Sequence, residues 1–158
     1  MYFRGNIHKE REKRFIIDSN QEYNKVVNSM YTYKKSISMG YADTVTKVRE
    51  ELKKEGFGVL TEIDVKQTLK TKLNVDFDEY IILGACNPPY AYQALTAERD
   101  IGVLLPCNVT VYTQAGKTYV SAILPTVQLG KVGNPELTPI AEEIETKLKK
   151  AVDAVAKE

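Results

Sequence analysis

The hydrophobic residues near the C-terminus recur at intervals of three and four, which is the spacing of one face of an α-helix. This apolar stripe consists of Leu137, Ile140, Ile144, Leu148, Val152 and Val155. Glutamates occupy the early turns and lysines the later ones, which matches the helix macrodipole. Asn134-Pro135 and Thr138-Pro139 each offer a cap residue followed by proline, so we expect a long helix to begin at one of these pairs.

Two shorter amphipathic segments precede it. Residues 42–55 place an apolar residue at every third or fourth position and are followed by Gly56, which can close a helix in a left-handed conformation. Residues 64–72 repeat the pattern more briefly, with Asp64 as the expected N-cap and Asn74 as the expected left-handed stop. Both segments are therefore predicted to be helices.

The intervening segments are predicted to be strands. Residues 31–37 and 57–63 carry β-branched and aromatic residues, and residues 80–83 form a continuous apolar run typical of a buried strand. Asn87-Pro88 then predicts a helix from Pro88 to about Glu98. We expect a strand region over residues 101–113, interrupted by Pro106, a hairpin loop at residues 114–117 and a partner strand over residues 119–124. Residues 126–133 show no period and are predicted to be a loop.

These elements predict an α+β fold ordered β-α-β-α-β-α-β-β-α, with a mixed sheet covered by helices chiefly on one face. We expect one domain over residues 30–158. Residues 1–29 contain six basic and four acidic residues but few aliphatic ones before Ile16, so they are predicted to be a loosely attached or helical N-terminal extension.

Composition excludes several functional classes. The chain has 22 basic and 21 acidic residues and no basic stripe, which argues against nucleic-acid binding. It lacks an apolar run long enough to span a membrane, and its first residues do not form a signal peptide. We therefore expect a cytoplasmic protein in which both cysteines stay reduced.

The chemistry of the sequence centres on its two cysteines, Cys86 and Cys107, each of which is followed by asparagine. Cys86 directly precedes a predicted helix N-terminus, where backbone N–H groups lower the pKa of a thiol. An unpaired cysteine is also a common small apolar core residue. Three interpretations therefore remain open: inert packing, a reactive or redox thiol, and a soft-metal or small-ligand site.

The sequence contains no pattern that supports a conventional catalytic site. The only histidine, His8, lies in the predicted extension, so the domain has no Cys-His pair, no Ser-His-Asp triad and too few ligands for zinc. The glycines form no nucleotide-binding motif. We expect a protein that is not an enzyme, has no cofactor and binds a small ligand near Cys86, Asn87, Cys107 and Asn108, with Tyr90 as a wall. The alternative is a thiol-dependent redox or soft-metal protein that uses Cys86 and Cys107.

Four separated blocks, in this order, resemble domain-of-unknown-function family 302. They are Glu55–Val65, Leu83–Pro88, Leu104–Val109 and Gly133–Pro135. The resemblance extends from about Met30 to the C-terminus, and residues 1–29 depart from it. It implies a compact α+β fold, a homodimer, and no established activity, cofactor or catalytic residue.

Overall fold

Five strands and five α-helices make up the part of the chain that the computed structural model describes, residues 30–157. The predicted N-terminal extension, residues 1–29, lies outside this range. The strands are β1 (Thr32–Ile37), β2 (Gly58–Asp64), β3 (Tyr80–Cys86), β4 (Cys107–Gln114) and β5 (Lys117–Ile123). The helices are α1 (Tyr41–Lys54), α2 (Val65–Leu73), α3 (Pro88–Ala97), α4 (Pro125–Gly130) and α5 (Leu137–Ala156), and a 3-10 helix covers Arg99–Leu104.

The α+β class and the order of the predicted elements are confirmed. The strands form one sheet in the order β1-β5-β4-β3-β2, and every neighbouring pair is antiparallel. The expectation of a mixed sheet was therefore wrong. The connections β2-α2-β3 and β3-α3-β4 leave and re-enter the sheet at the same end, so each joins antiparallel neighbours. Only α1 joins strands of the same direction, and these are the two edge strands.

The core lies between one face of the sheet and the helices α1 and α5. Leu83, Val109, Val111, Val120 and Ala122 alternate along the three central strands and are fully buried on this face. The predicted stripe of α5 is buried against them, as is the apolar face of α1. The opposite sheet face carries the intervening positions; we call it the open face. Among residues 30–157, no helix combines the length and apolar character needed to cross a bilayer.

Two local predictions were wrong. The first part of the strand predicted over residues 101–113 is the 3-10 helix, and β4 begins only at Cys107, directly after Pro106. Residues 126–130 of the predicted loop at residues 126–133 belong to the short helix α4, which begins with Pro125 and buries Leu129. A helix of six residues is too short to show an apolar period.

The side chain of Glu145 holds α4 onto α5. Its Oε2 atom accepts hydrogen bonds from the backbone N–H and the hydroxyl of Thr126, in the first turn of α4, and its Oε1 atom pairs with Lys149. Burial by itself would raise the pKa of Glu145, but the hydrogen bonds from Lys149 and Thr126 outweigh it and lower the pKa. Glu145 therefore stays ionised at neutral pH and fixes the position of α4 on the longer helix.

The hairpin predicted between β4 and β5 is present, and its connection contains two residues. Ala115 and Gly116 both have positive φ, at 49° and 75°. Positive φ at both central positions is typical of a type I′ turn, whose twist matches that of the paired strands. Gly116 adopts this conformation without strain, whereas the Cβ atom of Ala115 makes it unfavourable.

Replacing Ala115 with asparagine should therefore stabilise the fold by about 1 kcal/mol, because asparagine tolerates the left-handed region better. Urea denaturation would measure the change in the free energy of unfolding. Ala115→Val serves as the control and should destabilise the chain, since a β-branched residue tolerates positive φ least. Equal stability of the two variants would contradict this description of the turn.

Candidate functional site

An apolar cavity of about 230 Å³ lies at the end of the sheet where β3 finishes and β4 begins. We call it the apolar cavity. Its wall is formed by the ends of β2, β3 and β4 together with α3, α4 and α5. The lining residues are Phe57, Leu60, Ala85, Cys86, Asn87, Ala91, Ala94, Leu95, Leu105, Pro106, Cys107, Leu129 and Ile144. Among the lining residues that the structure describes, Asn87 alone has an amide side chain, so the space suits a mostly apolar occupant.

A β-bulge gives β2 its place in this wall. Val59 pairs with Ala85 and Thr61 with Gly84, so Leu60 is an extra residue without a partner on β3. Such a residue breaks the strict alternation of side chains and can be aimed out of the strand. Leu60 lines the cavity yet remains 69% exposed, which places it at the mouth.

Asn87 joins the cavity to the end of α1. It is the N-cap residue of α3, as predicted, but its side chain does not cap that helix. Instead, Asn87 Nδ2 donates a hydrogen bond of 3.2 Å to the carbonyl oxygen of Glu55. A Cβ atom on Gly56, which has φ of 85°, would come within 3.1 Å of the same Nδ2 atom. Only glycine therefore combines the positive φ of this helix end with the close approach of Asn87.

The two cysteines are both free, and both line the cavity. Cys107 is 6% exposed and faces the helices, while Cys86 is half-buried at the end of β3. The register pairs Cys107 with Ala85, not with Cys86. Because side chains of consecutive strand residues point to opposite faces, Cys86 and Cys107 are not brought together as a pair. The interpretation as a cysteine pair was therefore wrong.

The expectation that the helix N-terminus lowers the pKa of Cys86 also fails. Burial raises the pKa of the Cys86 thiol, and burial, with a smaller Coulombic contribution from Cys86, raises the pKa of Cys107 to about 11. The first two residues of α3 are Pro88 and Pro89, which have no backbone N–H to direct at a thiolate. The N-terminus of α3 therefore gives the Cys86 thiolate little electrostatic stabilisation to offset its loss of water.

Two predicted ligand-binding residues lie outside the cavity wall. Asn108 pairs with Gly84 and alternates with Cys107, so it is exposed on the open face. Tyr90 packs against the core from α3 but does not line the cavity. The other three predicted residues, the two cysteines and Asn87, do line it. Leu60 was missed because a bulge leaves no clear signal in the sequence.

Gly84 lets two other chain segments approach β3 on the open face behind the cavity. A Cβ atom at this position would overlap Thr61 Oγ1 and would lie 2.7 Å from Cγ of Pro106. The absence of a side chain at Gly84 therefore allows Thr61 of β2 and Pro106 of the 3-10–β4 connection to cover the strand.

A second cavity, of about 290 Å³, lies between α4 and the start of α5. Its wall is more polar and includes Thr126, Asn134, Thr138 and Glu142. Asn134 is engaged in holding the loop, since it donates to the carbonyl oxygen of Ala97 and accepts from the N–H of Glu136. Leu129 lines both cavities and separates them. Within residues 30–157, no group of three or more His, Cys, Asp or Glu side chains is placed to hold a metal ion.

Comparison with known proteins agrees with the resemblance inferred from the four sequence blocks. Residues 33–155 match the family described as "Domain of unknown function DUF302". The crystal structure of an uncharacterized conserved DUF302 protein from Bacillus stearothermophilus is similar, with 35% sequence identity and a TM-score of 0.76. The match covers 80% of this chain and 99% of that chain. No curated protein matches the sequence.

Replacing Gly84 with alanine should destabilise the fold by about 1–3 kcal/mol, because the added methyl group overpacks against Thr61 and Pro106. Gly58→Ala is a matched control on β2, since nothing lies within 4 Å of the added Cβ atom there. That variant should change the free energy of unfolding by less than about 0.5 kcal/mol. Urea denaturation distinguishes the two, and similar losses would contradict the close approach at Gly84.

The thiols should react slowly at neutral pH, and Cys107 should react more slowly than Cys86. With a pKa of about 11, Cys107 is almost entirely protonated at neutral pH. Its reaction with an uncharged aromatic disulfide should therefore be on the order of a hundredfold slower than that of an exposed thiol. The variants Cys86→Ser and Cys107→Ser each leave one thiol, so their rates measured against pH assign each pKa. If the reaction rate of Cys86 stops rising with pH below about pH 8, the pKa of this thiol is low. That result would restore the interpretation that the helix N-terminus lowers the pKa of Cys86.

Proposed function

This chain belongs to the DUF302 family, and we propose that it is a dimeric, non-enzymatic cytoplasmic module that binds a small, mostly apolar ligand in the apolar cavity. The observation that carries this proposal is a cavity of about 230 Å³ with one buried amide, Asn87, in an otherwise apolar wall. Binding sites of this type combine apolar walls with a few polar groups that fix orientation.

The volume of the cavity limits the size of the ligand. Typical small-molecule pockets enclose roughly 300–1,000 Å³, so a ligand that fits here is smaller than most drug-sized compounds. The small volume favours a compact molecule of one or two rings. An ionic group would be poorly solvated inside, because burial of a charge without a partner is costly.

Asn87 determines which polar group the ligand should carry. Its Nδ2 atom donates to the carbonyl oxygen of Glu55, so its Oδ1 atom is the polar group that would meet a ligand. A carbonyl-type oxygen accepts hydrogen bonds and cannot donate them. The ligand class that fits is therefore a small apolar molecule with one N–H or O–H donor.

The raised thiol pKa values support binding rather than thiol chemistry. A nucleophilic or metal-binding cysteine functions as the thiolate, which burial disfavours at both positions. Cys107 then contributes a polarisable, weakly polar patch to the wall. We therefore do not carry the redox or soft-metal alternative further.

Indole and indene provide a matched pair of probes, because they share a two-ring skeleton but only indole has an N–H donor. We expect indole to bind more tightly and to shift the NMR signals of Ala85, Ala91 and Ala94, which line the cavity. Leu60→Asp should weaken indole binding by about tenfold, since it replaces an apolar contact at the mouth with a carboxylate.

Val103→Asp is the control for this variant. Val103 is 86% exposed and lies outside the cavity wall, so its replacement introduces the same charge at a similarly exposed apolar position. It should leave indole binding unchanged. The proposal is contradicted if neither probe shifts the cavity signals, or if the two aspartate variants weaken binding equally.

A further inference from the structure

The second cavity, between α4 and the start of α5, combines buried apolar residues with exposed polar ones. Leu129, Leu137 and Ala141 line it and are each 2% exposed or less. Thr138 and Glu142 also line it and are exposed. They are four residues apart on α5 and therefore lie one turn apart on the same side of the helix. The volume, about 290 Å³, is near the lower end of ordinary small-molecule pockets, so the space suits a small molecule with an apolar and a polar part.

The polar side chains that line this cavity offer acceptors rather than donors. The hydroxyl of Thr126 donates its hydrogen to Glu145 Oε2, so it can only accept a further hydrogen bond. Asn134 Nδ2 donates to a backbone carbonyl at 3.1 Å and to Glu98 Oε2 at 3.5 Å, whereas a backbone N–H uses only one of the two lone pairs of its Oδ1 atom. The carboxylate of Glu142 is an acceptor only. A ligand that fits this wall should therefore carry hydrogen-bond donors.

The carboxylate of Glu142 gives the cavity a negative charge. Within residues 30–157, the ion pairs of α5 engage Glu145, Lys150 and Asp153, and none of them engages Glu142. Lys131 follows α4 but does not line the cavity. Hydrogen bonds between a charged donor and a carboxylate are stronger than those between neutral groups. A positively charged donor therefore fits this wall better than a neutral one.

The N-terminus of α5 is not arranged to bind an anion in this cavity. A helix N-terminus attracts anions through free backbone N–H groups. Here the N–H groups of Leu137 and Thr138 donate to backbone carbonyls of the preceding loop, at 3.1 and 3.3 Å, and Pro139 has no N–H. Glu142 lies in the second turn of α5, where the effect of the helix dipole has fallen off. The sign of the charge that the ligand should carry is therefore set by Glu142.

We propose that the second cavity binds a small primary amine, with its ammonium group at Glu142 and Thr138 and its apolar part against Leu129 and Leu137. An ammonium group has three donors and no acceptor, which complements a wall that offers acceptors and one carboxylate. Leu129 separates this site from the apolar cavity. The inference therefore goes beyond the proposed function and does not depend on it.

Cyclohexylamine and cyclohexanol provide a matched pair of probes, because they share a ring but only the amine is charged at neutral pH. In the full chain, we expect cyclohexylamine to bind more tightly and to shift the NMR signals of Gly130, Gly133 and Ala141, which line the second cavity. Glu142→Gln removes the charge and keeps the shape of the side chain. It should weaken amine binding by about fivefold, the effect of a partly exposed ion pair, and leave cyclohexanol binding unchanged.

Glu143→Gln is the matched control. Glu143 is the next residue of α5 and is also exposed, but it does not line the cavity, so this variant removes the same charge beside the site. It should leave amine binding unchanged. The inference is overturned if the two variants weaken amine binding equally, if cyclohexanol binds as tightly as cyclohexylamine, or if the amine fails to shift the signals of the second cavity. The indole experiment tests the apolar cavity separately, so either proposal can fail without the other.

Discussion

The alternation of side chains across five antiparallel strands, interrupted in β2 by the bulge at Leu60, is the constraint on which the rest of the structure depends. It sends Leu83, Val109 and Val111 under the helices, where they are fully buried, and leaves the intervening residues on the open face. A shift by one residue on any strand would exchange the two sets. One register places the apolar cavity at the end of the buried face and stacks Tyr80, Tyr112 and Tyr119 across the opposite face.

Several elements could be predicted because their signals are local. The apolar stripe of α5, the Asp64 cap of α2 and the left-handed Asn74 depend on residues within a few positions of each other. The hairpin at Ala115-Gly116 is equally local. The strand directions were not predictable in this way, because a helical connection can return the chain to either end of a sheet. The cavity likewise depends on contacts among segments that are distant in sequence.

The cysteines show why a local argument can fail at a site. Cys86 does precede a helix N-terminus, as the sequence indicated, and that position usually favours a thiolate. Here the two prolines remove donors from the first turn, and the surrounding apolar residues remove water. The balance between a helix terminus and desolvation depends on burial, which the sequence around Cys86 does not specify. Asn87 illustrates the same point, because its amide serves the distant end of α1 and not its own helix.

The bulge at Leu60 also affects how the chain behaves at high concentration. β2 is an edge strand, and a regular edge strand offers unpaired N–H and C=O groups to other chains. The extra residue twists this edge away from regular pairing, and Glu62 and Asp64 add charge to it. The opposite edge strand, β1, carries Lys34 and Lys35. Both edges of the sheet therefore resist pairing with strands of other chains, so the bulge that places Leu60 at the mouth of the cavity also helps to protect the protein against amyloid-like aggregation.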